Sequence, residues 1–419
     1  MTDGPHENTT DGRRSGTRDG MLEELLAEAT ALGDGLSELR HELHRIPEIG
    51  LDLPLTQAAV LAALDGLGLE ITTGHGLSSV VAVLRGGSAG PAVLLRGDMD
   101  ALPVTEESGE EFTSTHDGVM HACGHDLHVA GLVGAARLLA ARREDIAGSV
   151  VFMFQPGEEG PHGARIMIEE GVLDAAGERV VAAYGVHVVS SMVPLGVVTG
   201  RPGPAMAAAD QMYVTIQGRG GHGSMPHLAA DPVTVAAEIV LALQLAVTRQ
   251  FDAHDPVVVT VGRIAAGTTD NVIPASAELD ATVRTFSREQ HAMMPERLTR
   301  VVEHVAAAHG LTATVDYVRG YPVTVNDADE IGRAERVVSG VLGQDRYVTA
   351  PRPVSGAEDF SYVLQEVPGA FLFVGATPSG ADPQTAPYNH SAQARFDDAA
   401  LPVSAAVLAA LALDRLAEG

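Results

Sequence analysis

The stretch "MHACGHDLH", residues 120–128, contains one cysteine, three histidines and one aspartate. Cys123 and His125 flank a glycine, so a tight turn can aim both side chains at one point. Thiolate and imidazole groups suit borderline metals such as zinc or manganese-type ions. A cysteine considered alone is more often a small buried hydrophobic residue. The metal-site interpretation therefore depends on other groups that could complete the site.

Two adjacent carboxylates and two further histidines could complete it. Glu158 and Glu159, in "FQPGEEG", follow an apolar run, and their charges repel each other unless a cation compensates. One of them can then bind metal while the other acts as a general base, although a solvated acidic turn is an equal alternative. His187 follows another apolar run and, taken alone, would be a core histidine. His390, in "YNHSAQARFDD", lies in a predicted loop.

Other catalytic patterns are incomplete or absent. In "RHELHRIPE", His41 and His44 are three residues apart, whereas the helical zinc-protease motif needs histidines four apart. We therefore interpret His44 as a histidine that packs within a helix. "GRGGHG" lacks the spacing of a glycine-rich nucleotide loop.

Composition excludes several function classes. The 419 residues carry a formal net charge of −28, which disfavours nucleic acid and anionic membrane surfaces as partners. All 27 basic residues are arginine, so a Schiff-base lysine and a Walker A loop are excluded. The single cysteine permits no intrachain disulfide. No apolar run approaching the length of a membrane span and no signal-peptide core are evident, so we expect a soluble, cytoplasmic protein.

These candidate residues lie at the ends of predicted strands. A helix is predicted from about Met21 to Arg45, and apolar runs then alternate with helical stretches, which indicates an α/β layer whose sheet is buried on both faces. The run "VLL" leads into Asp98 and Asp100, and other runs lead into the glutamates and His187. Ligands of open α/β sheets bind at this carboxyl edge.

A second domain is predicted inside the first. After about Met206 the pattern becomes strand, helix, strand, strand, helix, strand, which is the ferredoxin-like α+β arrangement. The predicted organisation is a disordered tail over residues 1–20, a discontinuous catalytic domain over 21–205 and 319–419, and an inserted domain over 206–318.

Several motifs occur in order from about residue 36 to the C-terminus: "RGDMDALPV", "MHACGHDLHVAGLVGAARLL", "FQPGEEGPHGARIMIEEGVL", "GVHV", "GRGGHGSMPH", "NVIP", "VRTF", "SGAEDFSY", "VPGAFLFVGA" and "NHS". Together they resemble the amidohydrolase branch of the aminoacylase and carboxypeptidase metallopeptidase family. That branch includes hippurate hydrolases, N-acyl-amino-acid amidohydrolases and plant indoleacetic-acid–amino-acid hydrolases. The resemblance implies a zinc-peptidase-like catalytic domain with a mixed sheet, and an inserted domain that serves as lid and dimer interface.

The resemblance also implies roles for individual residues. Glu158 matches the general base, and Asp100 matches an acidic residue that orients a metal-binding group. Asp98 stands where other branches have a ligand histidine, and we leave it out of the ligand set. The residues that match ligands to a two-metal centre are Cys123, His125, Glu159, His187 and His390. The inserted domain contributes residues that in relatives hold the substrate carbonyl and carboxylate across the dimer: His222, Asn271 and Arg284.

The implied reaction is metal-dependent hydrolysis of the amide bond of N-acyl-amino acids by a homodimer. It would use two divalent ions, manganese or zinc, with cobalt and nickel as further options. His222, on a separate fold, would reach the metals only by domain closure or from a second subunit. The sequence departs from the usual pattern in "NHSAQARFDD" and "GHGSMPH", which bears on the choice of substrate more than on the class of reaction.

Two other functions stay open. A dipeptidase or aminopeptidase-type exopeptidase of the same family would recognise a free amine, for which the sequence offers no clear acidic anchor. A non-catalytic, metal-bearing dimeric binding protein is the alternative from another class, and the presence of Glu158 argues against it.

Overall fold

The computed structural model of the chain describes residue 20 and residues 24–418. Residues 1–19 of the predicted tail lie outside the described residues. Residues 24–31 are helical, and a second helix begins at Gly33, so the single helix predicted from Met21 to Arg45 is interrupted at Leu32. Gly33 and Gly35, which lie just after this interruption, have low helix propensity.

From Gly33 onward, nine helices cover much of the described chain. They are α1 (Gly33–Arg45), α2 (Pro54–Leu64), α3 (His125–Ala141), α4 (Gly163–Glu169), α5 (Pro232–Gln250), α6 (Arg288–Ala308), α7 (Ala328–Leu342), α8 (Ser361–Glu366) and α9 (Ala400–Leu416).

Sixteen strands lie between them in the described residues. They are β1 (Glu70–Thr73), β2 (Val80–Arg85), β3 (Ser88–Asp98), β4 (Ala147–Gln155), β5 (Ala182–Val189), β6 (Val198–Gly200), β7 (Gly203–Met206), β8 (Ala208–Gln217), β9 (Gly221–His222), β10 (Val257–Ala266), β11 (Val272–Ile273), β12 (Ser276–Thr285), β13 (Thr312–Tyr321), β14 (Thr324–Asn326), β15 (Tyr347–Thr349) and β16 (Gly369–Gly375).

The first of two compact units is built on an eight-stranded mixed sheet in the order β1-β2-β4-β3-β5-β16-β6-β15. Its central strands β4, β3, β5 and β16 run parallel, so their carboxyl ends meet at one edge. Strands β4, β5 and β16 are buried almost throughout, and β3 is buried from Ala92 onward. Helices α3 and α9 are buried on nearly every side. The predicted α/β class with a mixed, doubly covered sheet is confirmed.

The second unit contains a four-stranded antiparallel sheet in the order β10-β12-β8-β13. Along the chain its elements follow as β8, α5, β10, β12, α6 and β13, which is the βαββαβ order predicted from sequence. Met212, Ile239 and Leu298 belong to its own hydrophobic core, to which the sheet and both helices contribute.

The division of the chain differs from the predicted domains at both ends of the inserted domain and in one further segment. The second unit comprises Pro204–Val325 together with Arg352–Tyr362, and the latter segment falls within the predicted catalytic domain. Backbone hydrogen bonds explain its placement, since Val354 N–H donates to Ala205 and Ala207 N–H donates to Val354. This pairing joins residues far apart in sequence, and no local pattern indicates it.

One helix among the described residues, α5, is long and apolar enough to cross a membrane by length and composition. The expectation that no apolar run approaches the length of a membrane span is therefore wrong, because α5 has both the length and the apolar composition. Val235, Ile239 and Leu243 of α5 are buried in the core of the second unit.

Candidate metal centre

The predicted metal ligands of the first unit lie at the carboxyl edge of its parallel strands. His125 is the first residue of α3, and Cys123 precedes it in a turn through Gly124, whose φ of 83° is in the left-handed region. Glycine fits this conformation without steric cost. Glu159 follows β4, and His187 lies within β5. The turn and the strand ends thus bring the thiol, the imidazoles and the carboxylate to one place.

The side chains of all five predicted ligands form two groups that share one thiol. Cys123 Sγ lies 3.4 Å from His187 Nε2 and 3.3 Å from His390 Nε2. The ligand atoms of Cys123, His125 and His187 all lie within 4.8 Å of one another, and so do those of Cys123, Glu159 and His390. The donor set of thiol, imidazole and carboxylate suits borderline divalent metals.

Hydrogen bonds to the protein orient two of the imidazoles. His125 Nδ1 lies 2.8 Å from the carbonyl oxygen of Asp100, and His187 Nδ1 lies 2.8 Å from the carbonyl oxygen of Val188. Because a carbonyl only accepts, each Nδ1 donates its proton there, and Nε2 is the nitrogen available to a metal ion. His125 Nε2 is buried without a hydrogen-bond partner. The centre therefore contains a buried ring nitrogen without a hydrogen-bond partner, which would serve as a ligand to a bound cation.

Local charges favour a cation at the centre. Hydrogen bonds with Cys123 and Glu159 outweigh partial burial and raise the pKa of His390 to about 10. Burial alone would lower the pKa of His125, but the charges of Asp98 and Cys123 raise it well above its usual value. Burial and neighbouring His128 lower the pKa of His187, which keeps that imidazole neutral. Raised histidine pKa values indicate a negative electrostatic potential at these rings, and the same potential would stabilise a bound metal ion.

Asp100 connects the acidic turn to the histidine. Its two carboxylate oxygens accept the backbone N–H groups of Glu158 and Glu159, each at 2.9 Å, while its carbonyl orients His125. Glu158 is 6% exposed. Ligand atoms of Glu158, Glu159 and His125 lie within 4.8 Å of one another.

Asp98 has protein partners of its own. It forms an ion pair with Arg96 and a short hydrogen bond with His128 Nδ1. His128 Nε2 accepts the N–H of Val188 at 2.8 Å. Both nitrogens of His128 are thus used within the protein. Asp98 Oδ2 also lies 3.5 Å from His125 Nε2, and Asp98, His125 and His128 form a further group that could hold a metal ion. The contacts with Arg96 and His128 are our reason for leaving Asp98 out of the predicted ligand set.

Three predicted site residues belong to the second unit. His222 on β9 pairs with Val272 of β11, and Asn271 directly precedes that strand, so the structure brings these two together. His222 Nδ1 accepts from Ser224 N–H and lies 2.9 Å from the Ser224 hydroxyl, which leaves the proton on Nε2. Arg284 lies on β12 and is half-buried, and burial lowers its pKa.

Comparison with known proteins identifies the family. The family model "Peptidase family M20/M25/M40" matches residues 94–414. The chain belongs to this family. The predicted resemblance and the predicted class of metal-dependent amidohydrolase are thereby confirmed.

Individual members of the M20 family are similar over nearly the whole chain. Thermostable carboxypeptidase 2 of Saccharolobus solfataricus is 37% identical over 94% of this chain and 98% of that protein. IAA-amino acid hydrolase ILR1-like 4 of Arabidopsis thaliana is 36% identical over 94% of this chain and 88% of that protein. The solved structure of the Bacillus subtilis YXEP protein, a dinuclear metal binding peptidase from the M20 family, has a TM-score of 0.80 and 33% identity, covering 93% of this chain and 99% of that one.

Sequence reasoning missed four residues around the candidate centre of this M20 protein. Arg96 and His128 hold Asp98, while Asn389 and Ser190 join the segments that carry predicted ligands. "YNHS" and "VVSS" do contain Asn389 and Ser190, but asparagine and serine are common in loops for local reasons. Only the folded chain shows which backbone groups they meet.

Proposed function

We propose that this chain hydrolyses the amide bond of N-acyl-amino acids at a centre of two divalent metal ions. The proposal rests on the two ligand groups that share Cys123, with the buried carboxylate of Glu158 beside them. Two groups with one common donor suit two neighbouring ions. The similarity to an IAA-amino acid hydrolase supports an N-acyl-amino acid as substrate.

The ligands we propose are Cys123, His125, Glu159, His187 and His390. Manganese or zinc suits this set, and cobalt or nickel would also bind. When bound, two such ions lower the pKa of a water molecule and polarise the amide carbonyl. Asp100 holds the backbone of the acidic turn and the ring of His125, and so positions the groups that bind and react.

Glu158 is the proposed general base. It accepts a proton from the attacking water and delivers it to the amide nitrogen, because that nitrogen is a poor leaving group unless it is protonated. His222, with its proton on Nε2, is the proposed donor to the developing oxyanion. Asn271 and Arg284 are the proposed contacts to the substrate, with the guanidinium of Arg284 binding the free carboxylate of the amino-acid half.

Exopeptidase activity is the second candidate, favoured by the similarity to a thermostable carboxypeptidase. Such an enzyme would use the same ligands and Glu158, and Arg284 would again bind a terminal carboxylate. The two candidates differ in the acyl half of the substrate, which is a blocked acyl group in one and an amino acid with a free amine in the other.

We further propose a cytoplasmic homodimer formed through the second unit. On α5, Leu241 and Leu245 are 71% and 60% exposed, and on the edge strand β10 Ile264 is 55% exposed. An exposed apolar stripe beside a free strand edge is typical of an interface between chains. The single cysteine agrees with a reducing compartment.

The test measures amine release from N-acetyl, N-benzoyl and N-indoleacetyl amino acids and from dipeptides. Metal-stripped protein is reloaded with manganese or zinc and compared with Glu158→Gln and with Glu111→Gln, a control at an exposed glutamate. We expect metal-dependent release that falls by about 10²–10⁴-fold in Glu158→Gln only. Release from dipeptides alone would favour the exopeptidase. No release from folded, metal-bound protein would favour the non-catalytic binding protein.

A further inference from the structure

The side chain of Asn389 joins three segments of the first unit that carry proposed ligands. Its Nδ2 donates to the carbonyl oxygen of Cys123 at 3.1 Å and to that of Val188 at 3.0 Å. Its Oδ1 accepts from Ser190 N–H at 3.0 Å and lies 3.0 Å from the Ser190 hydroxyl, which also lies 2.8 Å from the carbonyl oxygen of Pro387. Asn389 is 8% exposed. The amide thus bonds three backbone groups and contacts the Ser190 hydroxyl, and its Nδ2 also lies 3.9 Å from Cys123 Sγ.

The two bonds donated by Nδ2 fall on a proposed ligand or directly beside one. Cys123 is itself a proposed ligand, Val188 follows His187, and His390 follows Asn389 in the chain. One amide therefore fixes the backbone at three of the five proposed ligands. Its orientation is set by its partners, because two carbonyl oxygens need donors on one side and the N–H of Ser190 needs an acceptor on the other.

The backbone at His390 requires such support. Its φ of 71° is in the left-handed region, which a residue with a Cβ adopts at a cost. The N–H of His390 donates to the carbonyl of Ala122 at 2.8 Å, next to Cys123. A strained conformation persists only where the surrounding contacts over-determine it. Asn389 and this backbone bond together hold the His390 ring against the Cys123 thiol.

We propose that Asn389 is a positioning residue of the metal centre, which sets the mutual placement of Cys123, His187 and His390 without binding metal itself. The inference rests on the proposed metal centre. It predicts that removal of the amide lowers metal affinity beyond any general loss of stability. Outer partners that orient ligands are typically worth about 10–100-fold in metal affinity.

The chain offers a matched control in Asn326, which is 2% exposed and also lies in the first unit. Asn326 Nδ2 donates to the carbonyls of Arg201 and Phe371, and its Oδ1 accepts from Phe371 N–H. Its hydrogen bonds are of the same kind, but they meet no proposed ligand. Asn389→Leu and Asn326→Leu therefore remove similar buried amides, and only the first removes contacts beside the centre.

The experiment measures Mn²⁺ affinity of the full chain by chelator competition, and the absorption of Co²⁺-loaded protein, whose thiolate-to-metal band reports the Cys123 bond. We expect about a tenfold or greater loss of affinity and a weakened band in Asn389→Leu, with wild-type values in Asn326→Leu. Ser190→Ala, a milder change in the same network, should shift both readouts in the same direction by less. If Asn389→Leu does not fold, the same measurements on Ser190→Ala decide the test.

Three results would overturn the inference. Wild-type affinity and spectrum in a folded Asn389→Leu, or in Ser190→Ala should Asn389→Leu not fold, would show that the amide does not position the ligands. Equal losses in Asn389→Leu and Asn326→Leu would show a general effect of loosening the unit. A wild-type chain that binds neither ion would overturn the proposed metal centre as well, which separates that failure from the first two.

Discussion

His44 is a buried histidine that bridges two carboxylates. Its Nδ1 lies 2.8 Å from Asp126 Oδ2 and its Nε2 lies 3.1 Å from Glu106 Oε1, so both ring nitrogens face anions. Arg40 also binds Asp126, at 2.8 Å, and the buried ring of His121 lies nearby. Burial alone would lower the pKa of His44, but the two carboxylates raise it to about 9. His44 is therefore charged at neutral pH.

A charged His44 predicts a loss of stability at alkaline pH. The folded pKa is raised above the unfolded value near 6.5, so the contribution is fully present below about pH 6.5 and is lost as the pH rises through about 9. We expect a loss on the order of 3 kcal/mol across this window. Urea unfolding at pH 6 and pH 9.5 should show it in the wild type and not in His44→Gln. Parallel pH dependence in the two proteins would contradict the charged state.

At this scale the sequence predicts residue types better than their partners. The thiol, histidines and glutamates at the centre can be selected because their chemistry and their positions after apolar runs are visible in sequence. The packing of His44 in a helix can also be predicted, whereas its bridge between Glu106 and Asp126 cannot. Asn389 carries no signal in the sequence, because its role depends on carbonyl groups that approach it only in the folded chain.

The turn into α3 is an element that tolerates little change. Gly124 has a φ of 83°, and a Cβ at this position would lie 2.5 Å from Val188 Cγ2 and 3.0 Å from the ring of Phe396. The left-handed conformation and the contact each disfavour a side chain. This turn directly precedes His125, the first residue of the helix.

Gly124→Ala is therefore expected to destabilise the protein by about 2–5 kcal/mol, from backbone strain and overpacking together. Gly66→Ala is the matched control, because Gly66 has a φ of 77° and a Cβ added there would meet no atom within 4 Å. It should lose only the strain, about 1–2 kcal/mol. Chemical denaturation of both variants measures the difference. Equal losses would show that Val188 and Phe396 move aside at no cost.

Strand and helix order can be predicted at the element scale wherever periodicity is local. The run of β8, α5, β10, β12, α6 and β13 matches the predicted order because each element has its own alternating or helical pattern. The segment Arg352–Tyr362, which the sequence assigns to the catalytic domain, belongs to the second compact unit, because its pairing with Ala205 and Ala207 is long-range and has no local pattern.

At the scale of the whole molecule, the proposed homodimer follows from what the second unit leaves uncovered. Residues Val233, Leu241 and Leu245 of α5 are spaced by multiples of four, so they line one face of the helix, and all three are exposed. The opposite face of α5 is buried in its own core. A net charge of −28 keeps separate chains apart, so an apolar face on such a chain needs a specific partner.

Leu241→Glu combined with Leu245→Glu is expected to convert the dimer to monomer, because two charges would have to be buried without partners. Ala292→Glu, at an exposed position on α6, adds charge outside this face and should leave the dimer intact. Light scattering coupled to size-exclusion chromatography measures both masses, and circular dichroism checks that the variants fold. A wild-type monomer, or a dimer that survives both charges, would contradict an interface on this face of α5.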